Sequence, residues 1–245
     1  MPPENDSARI WRYLDFTKLV SLFESQSLFF ARTDKLGDPF EGSWPQKNLR
    51  VVRDNLPDIP VDKHEIYFMD VANISNLLKK WAECNAISCW HLNEQESAAM
   101  WRLYLKSDEG IAIQSTFARL RDSITDDRTV YIGTVRYIDY ETDWFDPINL
   151  YEALLHKRKS FEHERELRAV VTAISTGPEE REIDFSKSEI TDGIKIAVNV
   201  NMLIENIYVA PDAPTWFTDL VSSIVNRYKY KFNVQQSKLS ERPIY

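Results

Sequence analysis

Glycine is scarce in this chain: six occur in 245 residues, and none falls in a G-x-G-x-x-G or Walker pattern. The sequence therefore lacks the glycine-rich loops that hold phosphates in Rossmann and P-loop proteins. The four histidines are scattered, and the two cysteines, Cys84 and Cys89, have neither a second pair nor a histidine cluster. Such spacing does not make a zinc site, so we predict no metal.

Signals for export and for a membrane are also missing. Residues 1–6 show no charged-then-apolar pattern, and no apolar run approaches membrane-spanning length. We expect a cytoplasmic protein with reduced thiols and no membrane partner. The net charge of -8 opposes nucleic-acid binding overall, although an acidic protein can still bind nucleic acid through a local basic patch. The dense basic run at residues 156–159 is typical of a solvated helix end.

The pattern of apolar and polar residues predicts one α+β domain over residues 1–245, with a mixed or largely antiparallel sheet. An apolar fraction of 43% and seven tryptophans suffice for a core. Period-two and apolar runs predict strands at 10–14, 27–32, 85–90, 111–114, 129–140, 164–174, 194–200, 206–210 and, at the end, 233–239. The run at 27–32 is expected to be buried on both faces.

Helical periodicity fills the intervals between these strands. A helix follows Asp15. Two more helices, one at 46–55 and a longer one that ends at about Trp81, are predicted to form a helical insertion near residues 44–82. Asn93 and Glu96 have the spacing of a capping box for the helix that contains Trp101 and Tyr104. Further helices are predicted at 117–124, at 148–160 and from Pro214.

The segment at the start of strand 164–174 contains the most closely spaced candidate site residues. Glu162, Glu164, Glu166 and Arg168 alternate, so a strand would place three carboxylates and a guanidinium on one face. Like charges on one face raise one another's pKa. Such a face either stays in water or serves as a site, and the pattern alone leaves both open.

Two further stretches hold candidate residues. The loop after strand 27–32 contains Asp38, Phe40 and Glu41, and loops that follow buried strands are common places for function. A plain loop is the alternative. Trp101 and Tyr104 have the spacing of core aromatic residues on a helix.

With these residues laid out, the chain resembles a bacterial family defined only as a domain of unknown function. The motifs that carry the resemblance are Trp11-Arg12-Tyr13, Leu28-Phe29-Phe30, Asp38-Pro39-Phe40-Glu41, Met100-Trp101-Arg102-Leu103-Tyr104 before Gly110, and Phe161-Glu162-x-Glu164-x-Glu166-Leu167-Arg168. They span roughly residues 10–170 in order. Gly37 stands where the family has Asn, and Leu167 where it often has Trp. This resemblance implies no activity.

The opening unit also looks like the start of ADP-ribosyltransferase-like folds, which have a split sheet. That resemblance implies that Arg12 on the first strand binds NAD, with Tyr13 and Arg32 as further NAD contacts. Ser88 would lie on the middle strand, and Glu164 and Glu166 would be the late catalytic pair. The triplet Ser88-Cys89-Trp90 lacks the Thr and second Ser of the usual middle motif, and the longer spacings require residues 44–82 to be an insertion.

The chemistry suits these residue types. A fixed carboxylate stabilises the positive charge that builds on the ribose as nicotinamide leaves, and a second can deprotonate an acceptor. An arginine clamps phosphates without titrating. The resemblance therefore implies NAD as substrate, with the acceptor unknown and the roles of toxin, phage-defence effector and housekeeping enzyme left open.

Two other classes of function stay open at this stage. One is a binding or sensor module that docks a basic partner on an acidic face. The other is a magnesium-dependent nuclease that uses Asp38 or Glu41 with Glu164, although such sites commonly have Glu-x-Lys on the strand.

Overall fold

The computed structural model describes residues 1–55, 71–104, 109–176, 183–241 and 243. Its strands are β1 Arg9–Asp15, β2 Ser27–Arg32, β3 Asn85–Leu92, β4 Gly110–Thr116, β5 Val130–Thr134, β6 Arg136–Ile138, β7 His156–Arg158, β8 Glu166–Thr172, β9 Ile174–Thr176, β10 Ile183–Ser188, β11 Gly193–Ala197, β12 Asn206–Val209 and β13 Asn233–Gln236. Its α-helices are α1 Phe16–Ser25, α2 Gln46–Asn55, α3 Val71–Glu83, α4 Ala98–Tyr104, α5 Phe117–Ser123, α6 Val200–Leu203 and α7 Thr215–Arg227. None of these helices has the length and apolarity needed to cross a bilayer.

Nine strands form the main sheet. Its order is β11-β2-β3-β1-β4-β12-β13, and β8 and β5 continue from β3. The pairings are antiparallel except that of β12 with β13. Two small sheets join β9 to β10 and β6 to β7. The predicted α+β class with a mixed sheet is confirmed.

The main sheet is split beside the middle of β3. One edge of β3 pairs with β8 from Asn85 to His91. On the other edge, β2 pairs with Ala86 and Ile87, whereas β1 pairs with His91 and Leu92. β1 and β2 therefore part alongside residues 88–90, and this opening positions the site described below.

Packing against the sheet explains the helices that flank it. In α1, the buried residues Leu19, Leu22 and Phe23 recur at helical spacing and join the main core. In α7, Phe217 and Val221 do the same. Each large apolar side chain buried in this way contributes about 1.5–3 kcal/mol, so an amphipathic stripe is enough to fix each helix to the sheet.

Helices α2 and α3 lie over a second cluster, in which Ile74 and Leu78 pack with Phe145 and Ala153. The Asn48 side chain of α2 bonds both backbone groups of Phe145. The predicted helix 46–55 matches α2. The other apolar positions of the second predicted helix, Ile66 and Met69, lie outside the described residues, and the insertion stays a prediction.

The segment before the glutamates differs most from expectation. The predicted helix 148–160 is wrong: a 3-10 turn at Leu150–Leu154 is followed by β7 and by a second 3-10 turn at Lys159–Glu164. Strand β8 begins at Glu166, so Glu162 and Glu164 precede it. Glu162 is exposed. The face of three carboxylates on one strand is therefore not formed.

Other predicted boundaries are wrong because contacts with distant residues, and not the local sequence pattern, determine where the strand or helix begins or ends. Strand β3 runs to Leu92, and α4 starts only at Ala98. The capping-box residue Glu96 instead bonds Trp101 and the backbone of Lys238. The predicted strand 129–140 breaks at Val135, whose N–H donates to the carbonyl of Glu166. β2 is not buried on both faces, since Phe29 is 49% exposed.

Candidate active site

A cavity of about 710 Å³ opens where the sheet is split. Its volume falls in the range of small-molecule sites. Its lining includes Arg12 and Trp90 and a group of buried charged side chains. Eight predicted site residues line it, namely Arg12, Tyr13, Asp38, Glu41, Tyr104, Glu164, Glu166 and Arg168. The other four, Ser88, Arg32, Phe40 and Trp101, do not lie on its wall.

The buried charged side chains are organised around Lys157. Its Nζ lies 2.5 Å from Glu164 Oε2, 2.7 Å from Glu166 Oε1 and 3.4 Å from Glu41 Oε1. The ammonium also sits 4.6 Å from the centre of the Phe161 ring. Strand β7 places Lys157 here by pairing with β6. The basic run that we predicted to be a solvated helix end thus contains a buried cation, and that prediction is wrong.

Arg168 completes this group, which we call the acid cluster: Glu41, Lys157, Glu164, Glu166 and Arg168. Arg168 is fully buried. Its Nε donates to Glu166 Oε2 at 2.7 Å, and its two terminal nitrogens donate to Glu41 at 2.7 and 2.9 Å. A fourth bond goes to the carbonyl of Leu154. A buried guanidinium needs this degree of pairing, because an unpaired charge would cost several kcal/mol.

The two glutamates converge by different routes. Glu166 and Arg168 share one face of β8, as a strand requires. Glu164 instead ends a 3-10 turn, and Arg165 between the glutamates adopts a left-handed conformation with φ 41°. His91 fixes this turn, since its Nδ1 lies 2.7 Å from the carbonyl oxygen of Glu164. A carbonyl only accepts, so Nδ1 carries the proton.

Burial and pairing separate the acidities of the two glutamates. Burial, reinforced by a hydrogen bond to Glu166, raises the pKa of Glu164 to about 7. Burial also opposes ionisation of Glu166, but Arg168, Lys157 and the bond from Glu164 outweigh it and hold the pKa of Glu166 well below its usual value. Near neutral pH, one carboxylate is permanently charged and its neighbour titrates, which is the pattern of an acid–base pair.

The cavity wall also presents a cation that is not part of the acid cluster. Arg12 Nη1 donates to the Ser88 hydroxyl, and Nη2 donates to the Phe29 carbonyl at 2.9 Å, across the split. The guanidinium lies 5.6 Å from the centre of the Trp90 ring, and Trp90 Nε1 also donates to Ser88. Within the described ranges, no carboxylate forms an ion pair with Arg12. Burial lowers the pKa of Arg12 to about 10, so it remains charged at neutral pH.

Three other predicted residues, Tyr13, Asp38 and Tyr104, also lie on the cavity wall. The Tyr13 hydroxyl accepts from the Ser97 N–H at 2.8 Å. Buried Asp38 pairs with Arg158 at 2.7 Å. Tyr104 is 43% exposed on α4, and burial of its hydroxyl together with the charge of Glu164 raises its pKa.

Three of the predicted residues have structural contacts away from the cavity. Arg32 forms a two-bond pair with Asp34. Phe40 lies 4.5 Å under the Arg158 guanidinium. Trp101 is a core residue that packs edge-on against Tyr13 with ring centres 5.0 Å apart.

The contacts of the acid cluster bear on the two other classes of function. Glu164 and Glu166 are buried, so they do not form the exposed acidic face that would dock a basic partner. Among the described residues, no group of three His, Cys, Asp or Glu side chains could hold a metal ion. Each carboxylate of the cluster is instead bonded to Lys157 or Arg168.

No protein-family model and no curated protein matches the chain. Similar solved structures include DarT of Thermus sp. 2.9 in complex with NAD+, at 10% identity and a TM-score of 0.42, covering 99% of this chain and 100% of that one. The complex of the same protein with ADP-ribosylated ssDNA has 10% identity, a TM-score of 0.43 and 99% coverage of both chains. The carba-NAD+ complex has 10% identity and a TM-score of 0.40, covering 96% and 97%. Likeness at this level does not identify a shared activity.

Proposed function

We propose that the cavity binds NAD and that the protein cleaves the nicotinamide–ribose bond, transferring ADP-ribose to an acceptor or to water. One observation carries this proposal. A single cavity is lined both by an arginine without a carboxylate partner among the described residues and by a permanent carboxylate beside one that titrates near neutrality. NAD has the matching polarity, since its pyrophosphate is anionic and its nicotinamide ring is cationic.

Arg12 is the proposed ligand of the pyrophosphate. Guanidinium groups bind phosphate oxygens through two parallel bonds, and partial burial strengthens such bonds. Ser88 lies behind Arg12 rather than on the wall, so its role is to hold the guanidinium in place. The apolar wall that includes Leu28, Phe29 and Trp90 would exclude water from the rest of the dinucleotide.

Glu166 and Glu164 are the proposed catalytic residues. When the bond from ribose C1′ to the ring nitrogen breaks, its electron pair stays on nicotinamide and positive charge develops on the ribose. The ionised Glu166 stabilises that charge. Glu164, with its pKa near 7, takes the proton of the incoming acceptor while the acceptor's lone pair forms the new bond to C1′.

Nicotinamide release from NAD by the purified chain tests this proposal. The assay is run with and without cell lysate, because dependence on lysate separates transfer to a cellular acceptor from hydrolysis. We expect release in at least one of these conditions. Absence of nicotinamide release in all of them would refute the proposed cleavage, and absence of NAD binding as well would refute the proposed ligand.

The rate should depend on pH through Glu164. A base acts in its ionised form, so kcat at saturating NAD should rise as pH increases through about 7 and level off above it. The substitution Glu164→Gln should abolish this rise and lower kcat by about two to four orders of magnitude. A wild-type rise centred at the pKa of an ordinary glutamate would show that Glu164 is not the titrating group.

Binding should depend on Arg12. We expect Arg12→Ala to weaken NAD binding about 10- to 100-fold, the value of hydrogen bonds to a charged group. The same change should have a smaller effect on the free energy of unfolding, because the guanidinium gives up two neutral hydrogen-bond partners, Ser88 and Phe29, and a contact with the Trp90 ring. Arg9→Ala is the matched control, since Arg9 lies exposed on the same strand. Equal Kd values for Arg12→Ala and wild type in a calorimetric titration would contradict this assignment.

A further inference from the structure

The acid cluster carries information about the acceptor. Four acidic residues line the cavity: Asp38, Glu41, Glu164 and Glu166. A cation from the chain itself already contacts each of them. Arg158 pairs with Asp38, Arg168 with Glu41 and Glu166, and Lys157 with Glu164 and Glu166.

Lys157 occupies the position between the two proposed catalytic carboxylates. Its Nζ is within 2.7 Å of an oxygen from each of them. A guanidinium or ammonium acceptor would seek this same position, because cations pair with carboxylates at such distances. To enter, it would have to displace Lys157 and leave a buried ammonium without its partners, which is strongly unfavourable.

We propose that Lys157 makes the site selective for an uncharged acceptor: water, a hydroxyl or an un-ionised N–H. This inference rests on the proposed function and specifies its acceptor class. An uncharged O–H or N–H needs only to donate a hydrogen bond to Glu164, which ionised Glu164 accepts while it keeps Lys157. During transfer the acceptor's proton passes to Glu164, its lone pair bonds ribose C1′, and nicotinamide leaves with the electron pair of the broken bond.

Two small probes separate the acceptor classes. The full chain is incubated with NAD and equal concentrations of methanol and agmatine, whose guanidinium is charged, and both adducts are quantified by mass spectrometry. We expect ADP-ribose from hydrolysis or methyl ADP-riboside from methanol, with agmatine adduct at least about a hundredfold lower, since breaking a buried ion pair is worth at least that factor. Agmatine adduct equal to or above the neutral products would overturn the inference.

Lys157→Met tests the cause. Removing the ammonium should leave Glu164 and Glu166 free to hold a cation, so the ratio of agmatine adduct to neutral products should rise relative to wild type. Lys157→Arg keeps a cation between the carboxylates, so its ratio of agmatine adduct to neutral products should stay as low as that of wild type. An unchanged ratio in a folded Lys157→Met would overturn the role of Lys157. If that variant does not fold, the wild-type ratio decides alone. Absence of nicotinamide release would instead refute the proposed function itself.

Discussion

Glu166→Gln should lower nicotinamide release from NAD about a thousandfold. The amide has the same shape but no charge, so it cannot stabilise the positive ribose. It also weakens the bonds to Lys157 and Arg168, and we expect a loss of about 1–3 kcal/mol in the free energy of unfolding. Release is measured by chromatography at saturating NAD, and stability by urea denaturation.

Glu162→Gln is the matched control for that variant. Glu162 lies in the same segment and undergoes the same chemical change, but its side chain is exposed and outside the cavity. It should retain wild-type rate and stability. Wild-type rates in both variants would remove Glu166 from the mechanism, whereas equal losses in both would indicate a general effect of charge in this segment.

Arg168→Met should cause the largest loss of stability, about 3–5 kcal/mol. The side chain is fully buried and donates to both Glu41 and Glu166. Its removal leaves two buried carboxylates with only Lys157 to balance them. Adding Glu41→Gln should recover part of the loss, because it removes one of the uncompensated charges.

Arg165→Met provides the comparison for Arg168→Met. Arg165 is three residues away and exposed, and its side chain makes one hydrogen bond, to Asn93. We expect a change within about 0.5 kcal/mol in its unfolding free energy. If Arg168→Met unfolded at the same urea concentration as Arg165→Met, the acid cluster would not be a stabilising element.

Period and composition were enough to predict the nine strands of the main sheet, whereas β7 and β10 of the two small sheets were not predicted. Strand β2 and helix α2 match their predicted bounds, because their apolar pattern and their termini point to the same structure. Boundaries failed where a residue had two possible partners. Glu96 has the spacing of a helix cap, yet it bonds residues 5 and more than 100 positions away. No local pattern encodes that choice.

The candidate site was predictable only in part. The alternation of Glu164, Glu166 and Arg168 indicated a charged face, and all three side chains line the cavity. Lys157 was missed because a lysine in a basic run is almost always solvated. Its burial depends on three carboxylates, two of them close in sequence and one, Glu41, on a distant loop. His91 was missed because its partner, the Glu164 carbonyl, is 73 positions away in the sequence.

The bond between Glu41 and Arg168 joins residues 127 positions apart. Closing so long a loop costs chain entropy, so a bond of this range depends on the rest of the fold to bring its two residues together. The proposed catalytic carboxylates take their positions from this same network. The chain therefore acquires its reactive centre only when the loop that holds Glu41 has met β8. Under the proposed function, a nascent or partly unfolded copy would be inert toward NAD, and activity would report completed folding.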